Sequence, residues 1–423
     1  MLRATILNNF LLILLLLKPF TVFAEDFVIK GLLKSLSTID SYGASSIIDL
    51  VGDESAMVQE RVVGRIIVNS AVAENTTLHV HYENSFSKGE YLSAVDALNG
   101  RTGHIDMLNA DSPSDRSQVF SLTQEYLDDN GELAYHRLDR LYVEYVLDDM
   151  NIRIGRQALT WGGGKAFNPL DIMNPFSPTD TIRDYKNGTD MIAIQTYSKM
   201  FADVQGVLVP RRGDDSGELE YEESSAALKL RNTFIETDAE VLFGWHYGEP
   251  FAGGGISVFI GEAALRIDAL ASKGKHKDSF SAVSNIDYSW LFLGKNIYGY
   301  FELYYNSLGK GSIDDVLADR ELFERIARGE MYLSDRYYAS AGVVYELHPL
   351  INLNMSFIYN ILDSSYVLQP RVEWDIRENM RILAGIDLPE GNLGSEFGGF
   401  YDNRGGGVIS PAKRIYGQVV LYF

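Results

Sequence analysis

Apolar and polar residues alternate along most of this chain in short segments. In one such segment, Leu78, Val80 and Tyr82 alternate with His79 and His81. The same period of two recurs near residues 141–145, 239–247, 297–305, 351–359 and 372–376. Because neighbouring side chains of a β-strand point to opposite faces, this period predicts strands with one apolar and one polar face.

The connections between the predicted strands alternate between long and short. We count 18 candidate strands, and 16 also fit, because the strands at about 28–37 and 255–262 are the least regular. The links on one side are long or moderate, except for the short link at 362–365. They cover 38–60, 88–135, 161–188, 212–224, 249–254, 274–279, 308–333, 362–365 and 390–412. The tight turns on the other side lie at Glu74-Asn75, Asp148-Asp149, Lys199-Met200, Glu236-Thr237, Glu262-Ala263, Gly294-Lys295, His348-Pro349 and Glu378-Asn379. This sorting is typical of outer-membrane barrels, whereas a soluble sandwich shares only the local alternation.

Composition supports a membrane barrel. No stretch after residue 24 is apolar enough for a transmembrane helix, and only helices and closed barrels satisfy their backbone groups in lipid. The 25 Tyr and 21 Phe can supply two interfacial girdles. We therefore predict an all-β fold, a transmembrane antiparallel β-barrel of about 18 strands in outer-membrane lipids, with long external loops and short periplasmic turns.

The N-terminus predicts export. Arg3 precedes an apolar run from Phe10 to Leu17, and Val22-Phe23-Ala24 supplies small residues for cleavage after residue 24. A retained anchor or a buried helix is the alternative, but the run is shorter than the roughly 20 residues that a bilayer span needs. Residues 25–423 would then form the barrel in the outer membrane of a Gram-negative cell.

The last strand resembles that of bacterial outer-membrane proteins. Ile415, Gly417, Val419 and Leu421 alternate with polar and aromatic residues, and the chain ends on Phe423. In those proteins the last strand ends in Phe or Trp at this spacing. The resemblance implies that the barrel-assembly machinery recognises the strand ending in Phe423; the alternative is a strand that merely ends the chain.

A second resemblance covers about 20 residues around Arg153-Ile154-Gly155-Arg156-Gln157 and Trp161-Gly162. This pattern is similar to one in porins of the alginate-export type and related porin-like families. The resemblance implies an 18-stranded barrel with a Gly-Arg-Gln strand just before the third external loop. It implies no substrate, because the Asn-Pro-rich continuation departs from the alginate-export pattern.

The third external loop, 161–188, has the composition of a packed segment. It contains three prolines and the apolar residues Phe167, Leu170, Ile172, Met173 and Phe176, which are costly to expose as a patch. In general porins the third loop folds into the lumen and narrows it. We expect the same here, with the charge at the constriction set by Asp171, Asp180, Arg183, Asp184 and Lys186. The alternative is an ordered lid over the mouth.

The polar faces of the strands predict a charged lumen wall. Its basic residues are Arg140, Arg153, Lys229, Arg231, Arg266, Arg371 and Arg381, and its acidic residues are Glu144, Asp203, Asp238, Glu240, Asp268, Glu302, Glu373, Asp375 and Asp387. Opposite charges on neighbouring strands indicate a stabilising ionic network. They also suit a transverse field for polar solutes or a basic track for an anionic one.

Other chemistry is weakly represented. Loss of Arg3 and Lys18 with the signal changes the formal charge from −21 to −23, which argues against a nucleic-acid binder. The chain has no Cys, and the pair His79 and His81 is too few ligands for a metal site. With no phosphate-binding or dinucleotide motif, we predict no cofactor, no metal and no enzyme activity.

The function predicted from these features is passive diffusion of small hydrophilic solutes through the charged lumen. The link 308–333 contains an amphipathic stretch, with Ile313, Val316, Phe323 and Ile326 near helical spacing, which plugs or caps the mouth or packs on the rim. The alternatives are therefore a gated sleeve for export or assembly of a polysaccharide or partner protein and, less favoured, a barrel enzyme. The sequence does not decide whether the chain forms a homotrimer, because a subunit interface and a lipid-facing surface look alike in sequence.

Overall fold

The computed structural model describes residues 27–43, 56–94, 114–129, 131–197, 202–213, 216–401 and 408–423. The predicted signal segment, the Lys199-Met200 turn and parts of the links 38–60, 88–135, 212–224 and 390–412 lie outside the described residues. All structural statements below concern the described part of the chain.

Eighteen antiparallel strands close into one barrel. In chain order they are β1 (Phe27–Ser41), β2 (Ala56–Ala73), β3 (Thr76–Gly89), β5 (Glu132–Leu147), β6 (Met150–Gln157), β7 (Thr189–Thr196), β8 (Asp203–Val209), β9 (Ser225–Phe234), β10 (Thr237–His246), β11 (Glu249–Ile260), β12 (Ala263–Ser272), β13 (Ser279–Phe292), β14 (Lys295–Asn306), β15 (Tyr337–His348), β16 (Ile351–Asn360), β17 (Tyr366–Arg377), β18 (Met380–Glu390) and β21 (Lys413–Tyr422). Each strand pairs with the next, and β1 pairs with β21 to close the sheet. The predicted fold class and strand number are confirmed.

Smaller elements lie among the long links. The strand β4 (Thr123–Asp129) pairs with the loop-side half of β5, and β19 (Phe400–Tyr401) pairs with β20 (Val408–Ile409). The helices α1 (Ile313–Ala318) and α2 (Arg320–Ala327) replace the single predicted helix, because Asp319 ends the first and caps the second. No helix in the described residues has the length and apolar character needed to cross a membrane.

The barrel is apolar outside and largely polar inside. On β10, Val241, Phe243 and Trp245 are about half exposed, whereas Leu242 and His246 on the alternate face are buried. A soluble sheet protein would bury the apolar face instead. An apolar outer face around a polar interior is the arrangement of transmembrane barrels.

The predicted link at 249–254 is wrong, because these residues belong to β11. The connection is instead a tight turn at Tyr247 and Gly248, whose φ angles of 51° and 74° suit a two-residue hairpin turn. The run Gly253-Gly254-Gly255 is typical of a loop, but in the structure it lies in a strand and allows close packing. A Cβ atom at Gly253 would lie 3.0 Å from Leu170 Cδ2, a side chain of the 161–188 loop.

The seam between β1 and β21 depends on close contact between Gly31 and Phe423. The Gly31 amide donates to Phe423 O at 2.7 Å, and the Phe423 amide donates to Gly31 O at 3.0 Å. A Cβ atom at Gly31 would lie 2.3 Å from the Phe423 ring. The terminal aromatic residue therefore needs glycine opposite it.

Gly31→Leu should destabilise the barrel by about 1–3 kcal/mol, because overpacking displaces the Phe423 ring at the seam. The folded fraction, measured by heat-modifiable migration on a gel, should fall. Gly417→Leu on β21 is the matched control, because nothing lies within 4 Å of a Cβ atom there. Equal folded fractions for the two variants would contradict the packing argument.

Candidate functional site: the lumen and the loop inside it

The segment between β6 and β7, residues 158–188, begins by packing on an apolar sector of the inner wall. Leu159, Trp161, Leu170 and Met173 are buried there. The wall contributes Met191, Ala193, Val207, Val209, Ala227, Leu242, Phe251 and Leu270, from strands β7 to β12. Trp161 Nε1 also donates to Gln205 Oε1 at 2.9 Å. The first part of the segment therefore packs against the inner wall of the barrel.

The glycine-rich tip of the segment, residues 162–167, is held by carboxylates of the wall. Glu302 accepts hydrogen bonds from the backbone amides of Lys165 at 2.6 Å, Ala166 at 3.0 Å and Phe167 at 2.8 Å. Asp268 accepts from the Gly163 amide at 2.7 Å. Backbone donors placed inside the barrel are thus satisfied by charged acceptors, which form stronger bonds than neutral ones.

Glycine is required where the tip turns. Gly162 has a φ angle of 81°, a region that glycine adopts at little cost. A Cβ atom at Gly164 would lie 1.8 Å from Phe167 O. The run Gly162-Gly163-Gly164 therefore allows the backbone to fold tightly against the wall.

Beyond the tip, an aromatic stack anchors the segment to the next strands. The Phe167 ring lies 4.5 Å from the Tyr304 ring with an interplanar angle of 5°, and 5.3 Å from the Tyr338 ring. Phe167 also belongs to a buried cluster with Ile358 and Val367. The segment has then reached strands β14 to β17.

The second half of the segment, residues 179–186, is the returning arm, and it follows the wall on the other side of the lumen. Gln369 Nε2 donates to Thr179 O at 2.8 Å, and Arg371 Nη1 donates to Thr181 O at 2.6 Å. Ile182 packs against a cluster that includes Tyr416 on β21. These contacts extend the attachment through β17, β18 and β21.

The last residues of the segment contact the first strands of the barrel. Lys34 Nζ lies 2.6 Å from Asp184 Oδ2, and the Arg65 guanidinium lies 4.3 Å from the centre of the Tyr185 ring. Arg140 Nη2 donates to Lys186 O at 2.6 Å. The segment thus contacts the wall from β7 around to β5.

The five predicted constriction residues divide into two groups. Asp171 is buried and Lys186 is partly buried, and their ion pair joins the outgoing and the returning halves of the segment. Burial raises the pKa of Asp171 to about 6, although Lys186 acts in the opposite direction. Asp180 and Arg183 pair at 3.2 Å, and their side chains remain 30% and 44% exposed. With Asp184, 46% exposed, they are the members that face solvent.

Many charged residues predicted on the lumen wall form ion pairs. Four pairs join neighbouring strands: Lys229 with Glu240, Arg231 with Asp238, Arg266 with Asp287, and Arg381 with Asp375. Arg371 pairs with Glu373 on the same strand, β17. Arg153 lies opposite Glu144 in the register, and Glu144 accepts from Asn151 at 2.7 Å. Asp203 accepts from Gln195 and Gln205, and Asp387 accepts from Gln369. The structure thus has the cross-strand network that opposite charges indicate.

One buried ionic cluster was not predicted. Arg65 Nη2 lies 2.5 Å from Asp139, and Arg65 Nη1 and Arg137 Nη2 lie 3.2 Å and 2.8 Å from Glu83. A register shift between β3 and β5 interrupts the alternation next to Arg140 and Asp139, which are both buried. A strict period of two cannot reveal such a cluster.

The segment carrying α1 and α2 forms a second layer at the long-loop end. Arg325 pairs with Glu249 at 2.7 Å and with Glu330 at 3.1 Å. Arg211 and Arg328 lie on the Tyr247 ring at 4.3 Å and 4.4 Å. Tyr332 OH then donates to Pro175 O at 3.0 Å. This segment therefore rests on the 158–188 segment.

Within the described residues, no group of three or more His, Cys, Asp or Glu could hold a metal ion. His79 lies 3.1 Å from Glu144, whereas His81 lies 3.2 Å from Arg65. The two histidines therefore have separate partners and do not converge on a shared ligand position.

Known structures are similar to this chain in fold. OccAB2 of Acinetobacter baumannii matches with a TM-score of 0.53 and 10% identity, over 95% of this chain and 99% of that chain. A BenF-like porin from Pseudomonas fluorescens Pf-5 matches with a TM-score of 0.53 and 8% identity over the same shares. The outer membrane protein opdK from Pseudomonas aeruginosa matches with a TM-score of 0.51 and 9% identity, also over these shares. No family model and no curated protein matches the sequence.

Glu302→Gln should loosen the tip of the 158–188 segment, because it replaces a charged acceptor of three backbone amides with a neutral one. The loss is on the order of 2 kcal/mol for a hydrogen bond to a charged group. Single-channel current in a planar bilayer should become larger and noisier. Glu144→Gln is the control, because that wall carboxylate bonds to His79 and Asn151 and not to the segment. A quiet, unchanged current in Glu302→Gln would refute the anchoring role.

Glu330 makes the segment that carries α1 and α2 sensitive to acid. Burial would raise the pKa of this carboxyl, but His246, Arg325 and Arg328 beside it outweigh burial and lower the pKa from 4.5 to about 2. The stabilisation is therefore complete above pH 4.5 and is lost as the pH falls toward 2. Hydrogen exchange of residues 315–334, corrected for intrinsic rates, should stay slow from pH 7 to 5. It should accelerate as the pH falls below 4.5. Glu330→Gln should lose protection already at pH 7; equal protection in both proteins at every pH would contradict this assignment.

Proposed function

We propose that this chain is an outer-membrane channel for passive diffusion of small hydrophilic solutes, narrowed by the 158–188 segment. The observation that carries the proposal is a closed barrel with a charged inner wall, along which wall side chains hold the 158–188 segment in place. Porin-type barrels of similar fold, among them the BenF-like porin, support it.

The orientation follows from the two ends of the barrel. The long links would face outside the cell and the short turns the periplasm, as in other outer-membrane barrels. The apolar outer face would contact outer-membrane lipids. The strand ending in Phe423 would be recognised by the barrel-assembly machinery after the signal peptide directs export.

The charges at the narrow part favour polar over apolar solutes. Asp180, Arg183 and Asp184 on the segment keep solvent exposure of 30%, 44% and 46%. Arg371 and Glu373 lie on the adjacent wall, 2.8 Å apart. Fixed charges of both signs at a constriction would orient dipolar solutes as they pass.

A gated sleeve for export or assembly is the second candidate. Its support is the α1 and α2 segment, which rests on the 158–188 segment through Tyr332 and forms a second layer in the mouth. Such a layer is compatible with a plug that a partner displaces.

A planar-bilayer recording of the refolded mature protein under a salt gradient separates the two candidates. Because the Lys310 amide bonds to Ser334 O at 2.6 Å, residues 311–333 can be replaced by a short Gly-Ser turn without separating their ends. We expect the full chain to show a stable open conductance with a defined reversal potential. A full chain that stays closed, with current only after the replacement, would reject free diffusion and favour the sleeve.

A further inference from the structure

Apolar side chains protrude at the short-turn end of three neighbouring hairpins. Ile235 in the turn after β9 is 100% exposed, and Leu293 in the turn after β13 is 83% exposed. Four further residues, each at least 58% exposed, lie beside them: Phe234, Phe259, Ile260 and Leu291. We term these six residues the apolar lip. Contiguous exposed apolar surface marks sites of interaction.

Local structure does not require apolar residues at the two tips. Ile235 and Leu293 have φ angles of 58° and 53°, in the left-handed region where bulky residues are rare. Asn75 fills the equivalent conformation in the turn after β2, with a φ angle of 62°. Isoleucine and leucine at these tips are thus unfavourable for both backbone conformation and solvation, which points to a function for their side chains.

The lip has side chains on both faces of the barrel wall, so lipid cannot cover all of it. Phe259 shares the lumen-facing side of β11 with Ser257, which pairs with Arg266 in the register. Leu291 shares the lumen-facing side of β13 with Asp287, which pairs with Lys165 inside the barrel. An occupant that contacts these two residues must approach from the aqueous end of the barrel.

Acidic residues border the lip and the rest of this end. Glu236 and Glu262 are exposed beside it; of the nearby basic residues, Arg231 pairs with Asp238 and Lys295 is partly buried. The turns at Glu74, Asp148 and Glu378 add acidic side chains around the same rim. A partner that covers the lip is thus expected to place basic side chains around an apolar contact.

We propose that the apolar lip is a docking surface for a periplasmic protein that presents an apolar cleft bordered by Lys or Arg. The proposal rests on the outer-membrane orientation proposed above, with the short turns in the periplasm. The side chains that point into the lumen place the partner at the channel exit, where it would receive or deliver what passes.

The test is photo-crosslinking of the full chain in Gram-negative cells that express it from its native locus. A photoreactive phenylalanine analogue replaces Leu291, and adducts are identified by mass spectrometry. We expect one periplasmic protein, joined at an apolar site with neighbouring Lys or Arg. Ile235→Asn combined with Leu293→Asn should reduce the adduct at least about tenfold. The Asn side chain suits the left-handed conformation, so these substitutions should not impair folding.

Leu350→Asn is the matched control, because Leu350 is 47% exposed in the turn after β15, outside the lip. It should leave the adduct unchanged. Adducts only with phospholipid, only with a second copy of this chain, or equally with many proteins would overturn the proposal. Single-channel conductance of the lip variant should match that of the unchanged chain, so failure of docking is distinguishable from failure of the channel function.

Discussion

The interior of this barrel depends on the bonds between Glu302 and the backbone of the 158–188 segment. A chain segment inside a barrel brings backbone donors that no sheet partner can satisfy, and leaving them unpaired is costly. Glu302 accepts from three successive amides, and Asp268 accepts from a fourth. The position of the tip determines where Phe167 stacks and where the returning arm runs.

The wall is built to receive this segment. Strands β7 to β12 depart from a uniformly polar lumen and present a buried apolar sector that includes Val207 and Leu242. Gly253 on β11 leaves space for Leu170. Apolar packing on one side of the lumen and ionic contacts on the other, such as Lys34 with Asp184, hold the same segment by different forces. The passage that remains is bounded by charged residues of the segment and of strands such as β17.

Much of the architecture could be predicted from the sequence, because a period of two and the sorting of loop lengths are local signals. The strand number and the closure of the sheet follow from them, whereas the inward position of the third long loop is expected from its apolar composition and from general porins. The run Gly253-Gly254-Gly255 misled the prediction, since glycine for close packing looks the same as glycine for a loop. Similarly, the predicted lumen wall includes Glu302, but its role depends on a segment 135 to 137 residues away in the chain.

Chemical blockade at Arg183 tests most directly whether the 158–188 segment lies in the path of solutes. The chain has no cysteine, so Arg183→Cys supplies a single thiol on the solvent-exposed part of the segment. A bulky thiol reagent should reduce the single-channel current of this variant, while the same reagent on Lys413→Cys, at the rim end of β21, should leave the current unchanged. Equal currents before and after modification of Arg183→Cys would place the segment outside the path.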